Sequence, residues 1–237
     1  MTLRSSRTRA RLAALPAIAL FALATVFVLR EGLAELLAMQ ANQEMAQWDG
    51  GRPPSPMAFE SVQRGIDGAI RLSPLNGDHW ESLGSAWFAR ARVPGRSVEG
   101  RLRDFDRAVD AYREATRRTT ISGYAWANLM VSKHYAGQVD EELSNALRNA
   151  ASFGPHEAAV QAMIVATVLP RWVEVKGEAR RIAAESVLRG WPDNREALVG
   201  EASNAPNREL WCDPVLWPQG EPLVKAMRQL CEASASR

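Results

Sequence analysis

The stretch Ala69–Trp87, AIRLSPLNGDHWESLGSAW, predicts the end of one helix, a tight turn and the start of a second helix. The Asn76-Gly77 pair interrupts the helical pattern, because both residues favour turns. Asp78 and Glu81 lie three residues apart and match a capping box. The sequence therefore predicts that the second helix begins here, with Asp78 as its N-cap.

One face of this second helix carries four residues at the spacing i, i+3, i+4 and i+7, namely Trp80, Leu83, Gly84 and Trp87. This spacing is typical of the buried face of an amphipathic helix. Glycine lowers helix propensity by about 1 kcal/mol relative to alanine, so a glycine on this face needs a packing reason. We expect Gly84 to let the next helix approach closely.

The order Trp, Leu, Gly, aromatic resembles the first helix of a tetratricopeptide repeat, a repeated pair of packed helices. Upstream, Ala69 and Pro74 stand where the preceding repeat would place its small residue and its closing proline. The resemblance continues downstream to about residue 155. The downstream matches are Ala108, Tyr112 and Ala115 in the second helix, then Trp126 and Leu129 in the next repeat, with Gly137 at its turn.

The chain departs from the repeat pattern at Met130, Glu142 and Thr120, where a small residue, an alanine and a proline are expected. The resemblance implies stacked antiparallel helix pairs, with a concave surface that holds peptides, extended segments or partner domains. It implies a scaffold and no particular reaction. Because no alternating run has the length of a strand, the predicted fold class is all-α. We assign the repeat array to residues 55–190 and a C-terminal helical cap to residues 191–237.

Residues 12–29, LAALPAIALFALATVFVL, form an apolar run close to the minimum that crosses about 30 Å of hydrocarbon. A cleaved signal peptide and a buried core helix are the competing interpretations. Cleavage after Ala22-Leu23-Ala24 would leave an exposed apolar N-terminus, and no polar face interrupts the run. We therefore favour an uncleaved transmembrane signal anchor.

Four arginines precede the apolar run within residues 1–11, so the positive-inside rule places this tail in the cytoplasm and the body outside. The Ala- and Arg-rich composition is typical of bacteria, which predicts a single-pass inner-membrane protein with a periplasmic body. Residues 30–54 are predicted to be an amphipathic stalk that ends in the linker WDGGRPPSP.

The net charge of +2 hides an uneven distribution, because five arginines and no acidic residue lie in residues 1–30. The remainder carries 24 basic residues against 27 acidic ones. A slightly acidic body argues against a nucleic-acid partner, since nucleic-acid-binding domains usually carry a basic face.

Residues 90–103, RARVPGRSVEGRLR, contain five arginines, one proline and two glycines. They are interpreted either as a solvated loop or as a contact for an anionic partner, such as an acidic polysaccharide, a lipid head group or an acidic protein surface. Arginine suits the second interpretation, because its planar guanidinium matches carboxylate and phosphate groups. The candidate residues are Arg92, Arg96, Arg101 and Arg103.

The C-terminal part contains both cysteines and several tryptophans. Cys212 and Cys231 form a disulfide if the body lies in an oxidising compartment, and otherwise are buried thiols. Trp191, Trp211 and Trp217 lie in turn-like sequence. They either plug the end of the helical array or stack on sugar rings.

No catalytic constellation can be assembled from the sequence. His79, His134 and His156 share no ligand spacing, and neither a zinc-protease motif nor a phosphate-binding glycine loop occurs. The acidic residues 140–142 fit the first turn of a helix, where they complement the helix dipole. We therefore expect a protein that is not an enzyme, with no catalytic residue, no metal site and no cofactor.

The layout of anchor, helical-repeat body and cysteine-bearing tail resembles accessory proteins of exopolysaccharide biosynthesis and export, including the VpsP-like family. The resemblance implies a membrane-anchored scaffold that acts by protein–protein interaction in an envelope complex. Two alternatives stay open. One is a binding module for an anionic glycan, and the other is an assembly factor for another envelope complex, such as cytochrome biogenesis, pilus or secretion machinery.

Overall fold

The structure, a computed structural model, describes residues 3–49 and 51–235, with side chains described at 16–48 and 51–235. Every regular element in these residues is helical, which confirms the all-α prediction. The helices are α1 (Leu3–Asp49), α2 (Pro56–Leu72), α3 (Gly77–Ala91), α4 (Val98–Arg118), α5 (Gly123–Tyr135), α6 (Glu141–Phe153), α7 (Ala158–Val168), α8 (Gly177–Asn204), α9 (Arg208–Trp211) and α10 (Glu221–Ala235), with 3-10 turns at Leu169–Arg171 and Pro214–Leu216.

The first helix, α1, is 47 residues long and contains a segment that is long and apolar enough to cross a membrane. Its most apolar 18-residue window has a mean hydropathy of 1.9. The side chains of residues 16–29 are exposed. The expected long apolar N-terminal helix is therefore present. Residues 1 and 2 of the predicted tail and the side chains of residues 3–15 lie outside the described part.

The C-terminal half of α1 belongs to the folded body and is not the separate stalk that we predicted for residues 30–54. Ala34, Ala38 and Ala41 are buried against α2, and Trp48 is buried at the end of α1. Small alanine side chains let the two helices pack closely. The linker is correspondingly short, because α1 ends at Asp49 and α2 begins at Pro56.

The predicted helix–turn–helix around residues 69–87 is confirmed, since α2 ends at Leu72 and α3 begins at Gly77. The cap differs from the prediction: Asn76 is the N-cap, and its Oδ1 accepts a hydrogen bond from the Asp78 backbone N–H at 3.0 Å. At Gly84, α4 approaches so closely that an added Cβ would lie 2.8 Å from ring atoms of Tyr112. The expected packing role of this glycine is thus visible in the structure.

The three turns that follow α2, α4 and α6 share one local structure. In each, a side-chain N–H donates to the backbone carbonyl six residues earlier. Each turn also follows a C-cap whose backbone N–H donates to an alanine carbonyl at the end of the preceding helix. The three donor–acceptor pairs are Trp80–Pro74 at 3.2 Å, Trp126–Thr120 at 2.8 Å and Gln161–Pro155 at 3.0 Å.

The three turns lie side by side along one edge of the body. Gly77 at the start of α3 packs on Thr119 at the end of α4, and Gly123 at the start of α5 packs on Gly154 after α6. The start of one helix therefore meets the end of the next, which makes α3–α4 and α5–α6 antiparallel pairs. We call residues 73–77, 119–123 and 154–157 the turn edge.

Helix α8 consists of two helical segments that meet at a kink at Asn194, two residues after Pro192. Asn194 has non-helical backbone angles (φ −124°, ψ 17°), and its Nδ2 donates to the Ala158 carbonyl at 2.8 Å. A proline inside a helix removes a backbone hydrogen bond and bends the helix. The predicted boundary between array and cap at residue 191 lies three residues before this kink, and α10 packs against α8.

Candidate functional site

The alternate helices α1, α3, α5 and α7 line a depression that we call the inner groove. Its larger part has a volume of about 550 Å³ and extends from Trp48 of α1 across α3 and α5 to Met163 of α7. A second part, of about 340 Å³, lies between α1 and the first half of α3. Ser85 lines both parts, so they lie next to each other, and we treat them together as the inner groove.

Four aromatic side chains line the larger part of the inner groove, namely Trp48, Phe88, Tyr112 and Tyr124. Trp48 and Tyr112 are buried beneath it, while Tyr124 is 41% exposed on its wall. Phe88 also lines this part and packs edge-on against the ring of Phe105 in α4. Aromatic side chains provide large contact area at low conformational cost, so such a lining suits binding of an extended segment.

Polar groups are placed along the inner groove between the aromatic ones. The Ser85 hydroxyl lies 3.0 Å from the Tyr112 hydroxyl, and Asn128 Nδ2 donates to Glu81 Oε1 at 3.4 Å. Burial, followed by the nearby charge of Asp78, raises the pKa of Glu81 to about 7. Glu81 is therefore present in both protonation states near neutral pH, and its carboxyl group can accept or donate a hydrogen bond to a bound segment.

The arginine-rich segment is not one solvated loop. The loop between α3 and α4 spans only residues 92–97, and its Arg96 Nη2 lies 2.5 Å from Asp104 Oδ2. Arg90 Nε lies 3.5 Å from the same oxygen, and the Asp104 side chain is only 3% exposed. Since a buried carboxylate needs a partner, these two arginines stabilise the fold.

The four candidate arginines therefore have different surroundings. Arg96 pairs with Asp104, whereas Arg92 is exposed and lines one end of the inner groove. Arg101 and Arg103 are exposed on the first turns of α4. The four arginines thus do not share one loop, and contact with an anionic partner stays a prediction for the exposed Arg92, Arg101 and Arg103.

The C-terminal tail is held by a disulfide between Cys212 and Cys231, which joins the end of α9 to α10. Trp211 is completely buried and Trp217 is 9% exposed, and the Trp217 Nε1 donates to the Trp211 carbonyl at 2.8 Å. Arg208 Nη2 donates to the Cys231 carbonyl at 2.6 Å. These tryptophans plug the end of the body and do not present their faces to a sugar.

Lys133 is a buried residue whose role the sequence analysis missed. Its side chain is 1% exposed, and its Nζ donates to Gln138, Asp140 and Glu142 at 3.0, 2.9 and 2.6 Å. Glu142 also accepts hydrogen bonds from Arg113 of α4, which lower its pKa to about 2. The available signal was a lysine in the last turn of α5 followed by acidic residues at the start of α6, but their pairing requires α5 and α6 to fold back on each other.

A second depression, of about 500 Å³, lies between α6 and α8 on the other side of the body, and we call it the outer groove. Met130, Leu143 and Ile182 form part of its buried floor, and Arg148 of α6 pairs with Glu178 of α8 at 3.1 Å. Among the described residues, no three His, Cys, Asp or Glu side chains are arranged to hold a metal ion.

No family model matches the chain, and neither the curated proteins nor the solved structures contain a significant match to it. The site is therefore interpreted from its own geometry.

Proposed function

We propose that this protein is a non-enzymatic, membrane-anchored scaffold whose inner groove holds an extended segment of a partner protein. The inner groove is the observation that carries the proposal, because it combines aromatic side chains with hydrogen-bonding groups along its length. Grooves of this kind suit an extended peptide, since aromatic contacts give affinity and polar groups fix the register of the backbone.

A tetratricopeptide-like array is part of the proposal. It is supported by the equivalent turns at Trp80, Trp126 and Gln161, and by the close approach of α4 at Gly84. In such arrays, alternate helices line the concave side that binds partners. The inner groove, lined by α1, α3, α5 and α7, corresponds to that side.

The proposed location is the inner membrane, with residues 12–29 of α1 crossing it, the N-terminus in the cytoplasm and the body in the periplasm. The apolar segment of α1 and the arginines before it support this orientation. The Cys212–Cys231 disulfide also supports it, because disulfides persist in oxidising compartments outside the cytoplasm.

The proposed machine is an exopolysaccharide biosynthesis or export system, on the basis of the layout of anchor, helical body and cysteine-bearing tail. Another envelope complex, such as cytochrome biogenesis, pilus or secretion machinery, would use the same groove. Direct binding of an anionic glycan is less well supported, because Arg96 pairs with Asp104 and both Trp211 and Trp217 are buried. A protein segment is therefore the proposed occupant.

Photocrosslinking in intact membranes tests the proposal. A photoreactive phenylalanine analogue replaces Tyr124 in the inner groove or, as a matched control, Leu188 on α8, which lines no part of it; both side chains are 41% exposed. Irradiation, purification through a tag after residue 237 and mass spectrometry then identify the captured proteins. We expect position 124 to capture a discrete set of proteins that position 188 does not.

The captured proteins decide between the possibilities. Glycosyltransferases, export subunits or chain-length regulators would support the polysaccharide system. Cytochrome, pilus or secretion components would retain the scaffold and replace the pathway. Equal capture at both positions, or capture at position 188 alone, would contradict a role for the inner groove.

A further inference from the structure

We infer that the first two turns of the turn edge, residues 73–77 and 119–123, rest on the bilayer surface beside α1, with Leu75 and Ile121 inserted among the lipid head groups. The inference rests on the proposed membrane span and adds a second, independent lipid contact made by the folded body. It makes the bilayer the partner of the exposed apolar residues in these turns, which the scaffold proposal does not explain.

Three side-chain contacts fix the height of the first turn relative to α1. Arg30 Nη2 donates to the Leu72 carbonyl at 2.7 Å, the Ser73 hydroxyl donates to Glu31 at 2.6 Å, and Asn76 Nδ2 donates to Glu35 at 3.0 Å. The first turn of the turn edge therefore lies beside residues 30–35 of α1.

This height coincides with the head-group layer. The apolar run ends at residue 29, and a helix rises 1.5 Å per residue, so residues 31–35 lie about 3–9 Å beyond the end of the run. The polar layer on each side of a bilayer is about 5–7 Å thick. The chain of α2 also runs back towards the membrane before it turns, because α2 is antiparallel to α1.

The second turn is held next to the first. Arg118 Nε, at the end of α4, donates to the Pro74 carbonyl at 2.6 Å, and Gly77 packs on Thr119. Residues 119–123 thus continue the same edge. Because the two turns are adjacent, a bilayer surface in contact with the first turn is also in contact with the second.

Each of these two turns exposes one large apolar side chain at the equivalent position. Leu75 follows Pro74 and is 83% exposed, and Ile121 follows Thr120 and is 74% exposed. The indoles of Trp80 and Trp126 donate to the backbone carbonyls of the same two turns. Tryptophan with a bonded N–H and a partly exposed ring is typical of the membrane interface.

Two further features agree with this position. Leu33 and Leu36, on α1 beyond Arg30, are 49% and 55% exposed, so apolar surface continues along α1 to the height of the first turn. The charged residues around the first two turns are equal in number, with Arg30, Arg71, Arg117 and Arg118 against Glu31, Glu35, Asp78 and Glu114. We therefore assign an apolar contact with the interface, in which attraction to anionic lipid has little part.

The third turn lacks the apolar residue and carries exposed His156 at the equivalent position. The lipid contact is thus confined to the first two turns, next to the span. The far end of the inner groove, at Trp48, lies about 27 Å further along α1 than Arg30. The partner segment would accordingly bind beside the membrane, within this height.

Depth-dependent fluorescence quenching of the full chain tests the inference. Single cysteines replace Leu75, Ile121, Val98 or Val26, and each is labelled with an environment-sensitive dye without reductant, so that the native disulfide stays closed. The labelled proteins are reconstituted in vesicles of equal parts phosphatidylethanolamine and phosphatidylglycerol that contain head-group nitroxide lipid. Val98 is the matched control, because it is 62% exposed at the opposite end of α4 from Arg118.

We expect dyes at positions 75 and 121 to emit at shorter wavelength than the dye at position 98 and to be quenched by the nitroxide lipid, also at high salt. Equal, water-like emission at 75, 121 and 98 would overturn the inference. Shifted emission without lipid quenching would also overturn it, because another protein or a second copy would then cover the edge. Quenching that disappears at high salt would contradict an apolar contact.

Position 26 separates this inference from the anchoring proposal. Its side chain lies within the apolar part of α1 and is 56% exposed. If the dye at position 26 is buried in lipid while the dyes at 75 and 121 are exposed to water, the anchoring proposal is supported and the surface contact is contradicted. A dye at position 26 outside the lipid would overturn both.

Discussion

The helix pairs α3–α4 and α5–α6 begin with the same turn and then pack differently. Both open with a tryptophan that donates to the carbonyl six residues earlier. In the first pair, Gly84 lets the ring of Tyr112 approach the backbone of α3. At the equivalent position of the second pair stands Met130, which is fully buried.

The larger residue, Met130, gives the second pair different surroundings at this position. Met130 lines the floor of the outer groove between α6 and α8, and the ionic cluster of Lys133, Asp140 and Glu142 lies nearby. The first pair also borders a depression, of about 400 Å³, lined by Trp80, Leu83 and Trp87 of α3 and by Arg107, Asp110, Ala111 and Glu114 of α4. The two pairs thus differ in the contact at this position, because Gly84 admits the Tyr112 ring against the backbone of α3, whereas Met130 fills the space with its own side chain.

Truncation of Met130, which stands where the first pair has Gly84, should lower the stability of the protein more than the other two changes. Met130→Ala removes a fully buried side chain and leaves a cavity, so we expect unfolding free energy to fall by about 3 kcal/mol. Urea unfolding of the full chain in detergent micelles, followed by circular dichroism, measures it. Met130→Leu is the control and should lose much less, because the volume is nearly conserved. Equal losses for both variants would contradict the assigned packing.

Removal of the Glu142 charge should have the next largest effect. Glu142→Gln weakens the bonds to Arg113 and Lys133, and we expect a loss of about 2 kcal/mol at neutral pH, after allowance for its partial exposure. Hydrogen bonding from Arg113 lowers the pKa of Glu142 from 4.5 to about 2. The same unfolding measurement, repeated from neutral to acidic pH, tests this.

The sign of the pH dependence follows from this lowered pKa. Ionised Glu142 stabilises the folded state fully above about pH 4.5, and this contribution is lost as the pH falls towards 2. The difference between wild type and Glu142→Gln should shrink over the same range. Glu141→Gln, at the exposed neighbouring position, is the control and should leave stability unchanged. A difference that persists at pH 2 would show that shape, and not charge, accounts for the loss.

Addition of one methyl group at Gly84 should have the smallest effect of the three. Alanine favours a helix by about 1 kcal/mol, but its Cβ would lie 2.8 Å from the Tyr112 ring, so we expect Gly84→Ala to lose about 1 kcal/mol net. Gly177→Ala is the matched control, since nothing lies within 4 Å of its added Cβ. Equal or greater stability of Gly84→Ala would contradict the close approach that distinguishes the first pair.

Local patterns predicted local structure well. The turn after residue 72 could be located because Pro, Asn and Gly interrupt the pattern, and Ser55 caps α2 as its position before Pro56 indicates. The kink of α8 could not be distinguished from a turn by sequence, since Pro192 favours both. Asn194 is tied to Ala158, a residue 36 positions away, which no local signal contains.

The candidate site was harder to predict, because its charges are paired over longer distances. Arg96 in the arginine-rich segment is next to a loop glycine and a serine, as in a solvated loop, yet its partner Asp104 is buried one and a half turns into α4. The inner groove has no contiguous motif, since its lining residues come from several separate helices and from the loops at 51–54 and 92–94. Only the stacking of alternate helices brings Trp48, Tyr124 and Met163 to one surface.

The sequence by itself determined the helical class, the apolar helix at the N-terminus and the glycine at which two helices meet, because these depend on spacing along one chain segment. The tertiary structure decided that α1 continues into the body and that Lys133 is buried among acidic partners. It also decided that the turns form one edge beside residues 30–35 of α1. These features depend on which helices become neighbours. That choice is made by the packing of whole faces, and no single stretch of sequence contains it.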